Sequence, residues 1–284
     1  METPLLLGPD ASLLGILNQS EDCVRPDFAL LMFNAGVLSR IGPHRMNVKL
    51  ARALGTSGVT SLRFDLSGQG DSRSSEHGAD ARASAVNDIV AAMNHLQEQF
   101  GIVRFALFGI CSGAVQAFSA ALADQRIVGL MMFDGYWYRS RWSRAVRHWK
   151  RLRSLSARQI ASKVWGFPRR VFAPAPAATP QLFDAQLLPP NPPREEFIRS
   201  MQTLVDRRVV THFVYSGTVI EFYSYAAQFR HAFGRERFFS AVRCDFCPDV
   251  DHTFASLESQ QRMIGLVLDW IDTVGRQSEP PTMR

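Results

Sequence analysis

Apolar strand-like runs alternate with amphipathic helical stretches through the first 135 residues, and this alternation narrows the fold more than any other feature. FALLMFNAG (28–36) reads as a buried strand ending in a turn, and NVKLARALGTSG (47–58) as an amphipathic helix closed by glycine. VTSLRFDLSGQGDS (59–72) reads as a strand that runs into a polar Gly/Ser loop. In ASAVNDIVAAMNHLQEQFG (83–101) the apolar residues at 86, 89, 90, 93 and 96 have the spacing of one buried helical face. VRFALFGI (103–110), SGAVQAFSAALAD (112–124) and IVGLMMFDG (127–135) continue as strand, helix and strand. Strands joined through helices pair in parallel, so the expected class is α/β, a mostly parallel sheet flanked by helices.

The alternation stops after Asp134 and resumes at RRVVTHFVYSG (207–217), RFFSAVRCDFC (237–247) and a closing amphipathic helix, QQRMIGLVLDWIDTV (260–274). The expected core is therefore 1–135 with 207–284, interrupted by an insertion over 136–206. An insertion at the carboxyl end of a parallel strand covers the place where such sheets bind ligands, so 136–206 is read as a helical lid. Charge is uneven across this boundary. From Gly135 to Phe183 there are eleven Lys/Arg and no Asp or Glu, which leaves 21 basic against 26 acidic residues elsewhere and a net charge of −5 outside a chain total of +6. A local acidic partner is implied, not a globally basic binder.

The chemistry centres on FGICSGA. Gly109-Ile110-Cys111-Ser112-Gly113 has the G-x-S-x-G spacing of a nucleophile elbow, with cysteine in the nucleophile's place. It lies between an expected strand and an expected helix, the context that gives the motif meaning. The flanking glycines suit a sharp turn where side chains would clash. Such a turn sets Cys111 above the sheet edge and aims the Ser112 amide at an incoming carbonyl oxygen, with the Ser112 hydroxyl pointing away from the cleft. His252, in PDVDHTF (248–254), lies after the last strand and before the last helix, in the order nucleophile then histidine. A base working near neutral pH can draw the proton from a thiol whose ordinary pKa is about 8.5.

These motifs together resemble the α/β-hydrolase superfamily, in its serine-aminopeptidase-like branch. FNAGVLSRIGPHR stands where that family has its His-Gly oxyanion loop, with Asn34 in place of the usual histidine. LRFDLSGQGDS resembles its D-x-x-G-x-G-x-S stretch, FGICSGA its elbow and DHTF its histidine loop, all in order and covering the chain outside the lid. The resemblance implies an α/β-hydrolase fold and an acyl-enzyme formed on Cys111, with His252 as general base and acid. The family pattern puts the loop's oxyanion donors at the Gly36 and Val37 amides, and Val37 with Ser112 is the expected oxyanion hole. The usual acid follows the strand that here is HFVYSG (212–217), where the first carboxylate is Glu221. The alternative is Asp134, at the end of the strand after the nucleophile strand, and it is favoured over Glu221. Asp251 adjoins His252 and is poorly placed to reach round to its ring.

A thiol nucleophile points to thioesters, because one thioester replaces another at little cost and the acyl-cysteine stays activated for a second acceptor. Polyhydroxyalkanoate synthases, dienelactone hydrolases and Dieckmann cyclases resemble this chain in that nucleophile type alone. The expected function is an acyl-cysteine enzyme acting on a thioester or ester, by hydrolysis, transfer or cyclisation. The alternatives are a small-ester hydrolase and a non-catalytic binding protein on the same fold. Coenzyme A or an acyl or peptidyl carrier protein fits the basic insertion through Arg139, Arg141, Arg144, Arg147, Lys150 and Arg151, with Arg144 and Arg147 the binding candidates. No nucleic-acid reading motif accompanies these charges, although an anionic membrane surface would also suit a Trp-rich basic helix. No metal or cofactor is implied. The four cysteines are too few for a disulfide scaffold, and CDFC lacks the second pair of a zinc site, so Cys244 and Cys247 read as small strand and loop residues. No signal peptide or membrane-spanning run is read, and a cytoplasmic location is expected.

Overall fold

The computed structural model describes residues 1–8, 10–20, 23–74, 81–143, 145–146, 190–219 and 222–278. Eight strands form one sheet: β1 (Glu2–Leu7), β2 (Leu13–Asn18), β3 (Phe28–Met32), β4 (Thr60–Phe64), β5 (Arg104–Ile110), β6 (Ile127–Phe133), β7 (Val210–Ser216) and β8 (Val242–Cys247). Their order is β1-β2-β4-β3-β5-β6-β7-β8. All pairs from β4 to β8 are parallel, whereas β1–β2 and β2–β4 are antiparallel. The amino-terminal hairpin is an addition to the sequence reading, which assigned no strand there. Its inward-facing Leu7, Leu13 and Leu17 are buried, and between the strands the Ala11 amide donates to the Gly8 carbonyl at 3.1 Å.

Among the described residues six helices flank the sheet: α1 (Met46–Thr56), α2 (Ala81–Phe100), α3 (Ser112–Ala123), α4 (Arg194–Asp206), α5 (Gln228–Phe233) and α6 (Leu257–Ser278). Side chains alternate between the two sheet faces, as pleating requires. Ala29, Leu31, Phe105, Leu107 and Met132 meet α2, α3 and α4 on one face, while Phe28, Leu30, Ala106, Phe108 and Met131 meet α1 and α6 on the other. The expected apolar face of α2 packs as read, with Ile89, Met93 and Leu96 buried and Val86 and Val90 against them. Helix α1 ends as its glycine suggests. Gly58 has φ +73°, and the amides of Val59 and Gly58 return to the carbonyls of Leu54 and Gly55 at 2.9 and 3.1 Å.

Helix α4, inside the stretch expected as the insertion, buries Phe197, Met201 and Leu204 against the sheet and α3. The strand read over 237–247 begins at Val242 instead. Arg237–Ala241 is a short 3₁₀ turn that drops Phe238 into a cluster of rings with Phe197, Phe229 and Phe233. Most of the expected lid, including Arg144, Arg147, Lys150 and Arg151, lies outside the described residues, as does Glu221. No described helix is long and apolar enough to cross a membrane.

Candidate active site

Strand β5 delivers Cys111 at its carboxyl end with φ 57° and ψ −121°, a conformation that costs a non-glycine residue roughly 1–3 kcal/mol. The surroundings hold it there. The Cys111 amide donates to the Phe133 carbonyl at 2.8 Å, and α3 starts at the next residue. The flanking glycines are required by space. A Cβ on Gly109 would lie 2.5 Å from Ala114 Cα, and one on Gly113 would lie 2.5 Å from the Asn34 carbonyl oxygen.

Strand β6 ends one residue before Asp134, whose side chain is fully buried. Ser216, at the end of neighbouring β7, donates from its amide to Asp134 Oδ1 at 2.8 Å and from its hydroxyl to Asp134 Oδ2 at 2.6 Å. A buried carboxylate needs such donors. The same Oδ2 lies 2.7 Å from His252 Nδ1. The His252 backbone amide donates to Thr218 Oγ1 at 3.0 Å, and its ring lies against Phe133. Burial pushes the His252 imidazolium towards losing its proton, but hydrogen bonds to Asp134 and Cys111 outweigh that and hold its pKa up at about 9. His252 thus stands between Asp134, hydrogen-bonded to its Nδ1, and Cys111, whose side chain helps raise its pKa, at the carboxyl edge of the sheet. Sequence reasoning missed Ser216 and Thr218. The available signal was that a carboxylate at the end of β6 must find donors on β7.

The loop after β3 closes the site from the other side. Asn34 is buried, donates to the Leu38 carbonyl at 2.9 Å and to Asp65 Oδ1 at 3.0 Å, and accepts from the Leu66 amide at 2.6 Å. Asp65 also accepts from the Arg40 amide at 2.6 Å, the Arg40 guanidinium and the Asp71 amide at 3.1 Å. This hub pins the loop to the D-x-x-G-x-G-x-S segment, where Gly70 leaves room for the Asp65 carboxylate. The Gly36 amide donates to Ser112 Oγ at 2.8 Å. The Ser112 hydroxyl was expected to point away from the cleft; it is instead the tether between the elbow and this loop. Val37 follows, with a side chain 95% exposed.

The sheet order, the elbow and the histidine loop decide the fold. The chain is an α/β-hydrolase by fold. A model of the family described as serine aminopeptidase, S33, matches residues 38–172. Solved α/β-hydrolase structures align over nearly the whole chain. An α/β serine hydrolase without lid from Xanthomonas campestris is 15% identical, with 96% of this chain and 94% of that chain covered and a TM-score of 0.52. An esterase from Pyrococcus furiosus is 13% identical, with 96% and 91% covered and a TM-score of 0.54. A carboxylesterase of the thaumarchaeon Nitrososphaera gargenis is 12% identical, with 96% and 100% covered and a TM-score of 0.56. No curated protein matches the sequence.

Proposed function

We propose that this α/β-hydrolase is an enzyme that forms an acyl-cysteine intermediate on Cys111 from a thioester or ester. One observation supports the reading: His252, hydrogen-bonded to the buried Asp134, has its pKa raised in part by Cys111, which sits at a strained elbow. His252, whose pKa of about 9 lets it hold the thiol's proton as an imidazolium beside the attacking sulfur, gives that proton to the departing thiol or alcohol. Asp134 holds the Nδ1 proton and stabilises the imidazolium. The Gly36 amide is engaged by Ser112 Oγ, so the Val37 and Ser112 amides are the donors proposed for the oxyanion. A water or a second nucleophile then attacks the acyl-cysteine, giving up its proton to His252. A thiol leaving group favours thioester substrates and leaves transfer, cyclisation and hydrolysis all open to the same intermediate.

Likeness to esterase structures favours a second reading, hydrolysis of small esters through the same cysteine. Mass spectrometry after incubation with an acyl thioester and with a simple ester separates the readings. A Cys111 adduct from the thioester, absent in Cys111→Ala, is the expected result. Adduct from the ester alone favours the esterase, and no adduct with no iodoacetamide labelling of Cys111 overturns both.

A further inference from the structure

Three stretches remote in sequence converge on a cavity of about 580 Å³ beside the base of the insertion. Arg139 and Arg141 come from the chain leaving β6, Arg194 opens α4, and Arg230, His231 and Arg235 come from α5 and its exit. Glu236, the one carboxylate among its described lining residues, is paired with Arg194 at 2.7 Å. Among the described residues no carboxylate lies within ion-pair distance of Arg139, Arg141, Arg230 or Arg235. Four such guanidinium groups round one concavity make a positive field that attracts an anion, in a salt-dependent way because the groups are exposed.

The five arginines are exposed at the rim of the cavity, and two of them lie over aromatic rings. Arg194 lies over the Phe233 ring at 5.3 Å and Arg139 over Trp137 at 5.8 Å. Tyr225 bridges its two sides, with its hydroxyl 2.9 Å from His231 Nδ1 and hydrogen-bonded to Ser140 Oγ. Every strong cation in it is arginine, whose forked donors match phosphate oxygens in pairs. Arg139 is five residues beyond Asp134, so their Cα atoms are at most about 18 Å apart.

We propose that this cavity binds the phosphate of a phosphopantetheine arm whose thioester reaches Cys111. The proposal rests on the acyl-cysteine reading for its substrate class, since the pantetheine arm spans a distance of this order. The basic residues of the insertion had suggested such a partner, but the site is made by α5 as much as by the insertion.

Titration calorimetry with phosphopantetheine and with pantetheine tests it without any reaction at Cys111. Phosphopantetheine is expected to bind at least tenfold more tightly. Arg230→Ala with Arg235→Ala is expected to erase that difference, and Arg230→Lys with Arg235→Lys to restore part of it. Equal affinity of the two ligands, or a phosphate advantage that survives both arginine-to-alanine changes, overturns the proposal. Coenzyme A and a phosphopantetheinylated carrier protein, titrated in parallel, tell which source of the arm is preferred. Failure of a pantetheine thioester to acylate Cys111 would instead count against the acyl-cysteine reading alone.

Discussion

His252 Nδ1 lies 2.7 Å from Asp134 Oδ2, although 118 positions separate the two residues in the chain. The contact joins the end of β6 to the loop after β8, across the intervening β7. Ser216 on β7 holds the carboxylate from the other side through two hydrogen bonds. Asp134 therefore stands at the end of the strand next to the one that delivers Cys111, while β7 supplies its donors.

Replacing Asp134 by Asn should preserve the fold and lower kcat by about 10²–10⁴-fold, since the amide favours the wrong imidazole tautomer. Asp134→Ala strands the buried donors of Ser216 and should cost several kcal/mol of stability as well. Steady-state kinetics with thermal melts distinguishes the two effects.

Cys111→Ala should abolish acyl-enzyme formation, whereas Cys111→Ser should keep slow ester hydrolysis and lose acyl transfer to added amines or thiols. Product analysis by mass spectrometry reads the partition. Transfer that persists in the serine variant would show that the thiol does not set the reaction type.

His252 gains its proton affinity from the fold. With its pKa raised to about 9 from an ordinary 6.5, the stabilisation is fully present below pH 6.5 and is lost as pH rises through about 9. The loss is on the order of 3 kcal/mol at most. Melting temperatures of the wild type and His252→Gln should converge between pH 6 and 10. An NMR titration of His252 should also move to lower pH in Cys111→Ala, because the Cys111 hydrogen bond is among the causes that raise it.

Gly113→Ala would drive a Cβ to 2.5 Å from the Asn34 carbonyl oxygen, which belongs to backbone and cannot swing aside. A destabilisation of about 1–3 kcal/mol is expected, with a loss of kcat as the loop after β3 is pushed off the elbow. Ser112→Ala releases the Gly36 amide without that clash and should change kcat without altering the melting temperature by more than a few degrees. A melt and a kcat measurement on each variant check both.

The sequence by itself determined the fold class, the elbow and the histidine loop. Periodicity reports burial directly, and the glycines at 109 and 113 report the space each turn lacks. It also marked Asp134 as a carboxylate at a buried strand end. Tertiary structure alone decided the rest. The hairpin β1–β2, the capture of α4 by the sheet layer and the roles of Ser216 and Thr218 depend on which strands become neighbours. So does the convergence of Arg139, Arg194 and Arg230 on one cavity. Local patterns encode what each residue needs, a donor, a partner or an apolar wall; only the packed sheet order fixes which distant residue provides it.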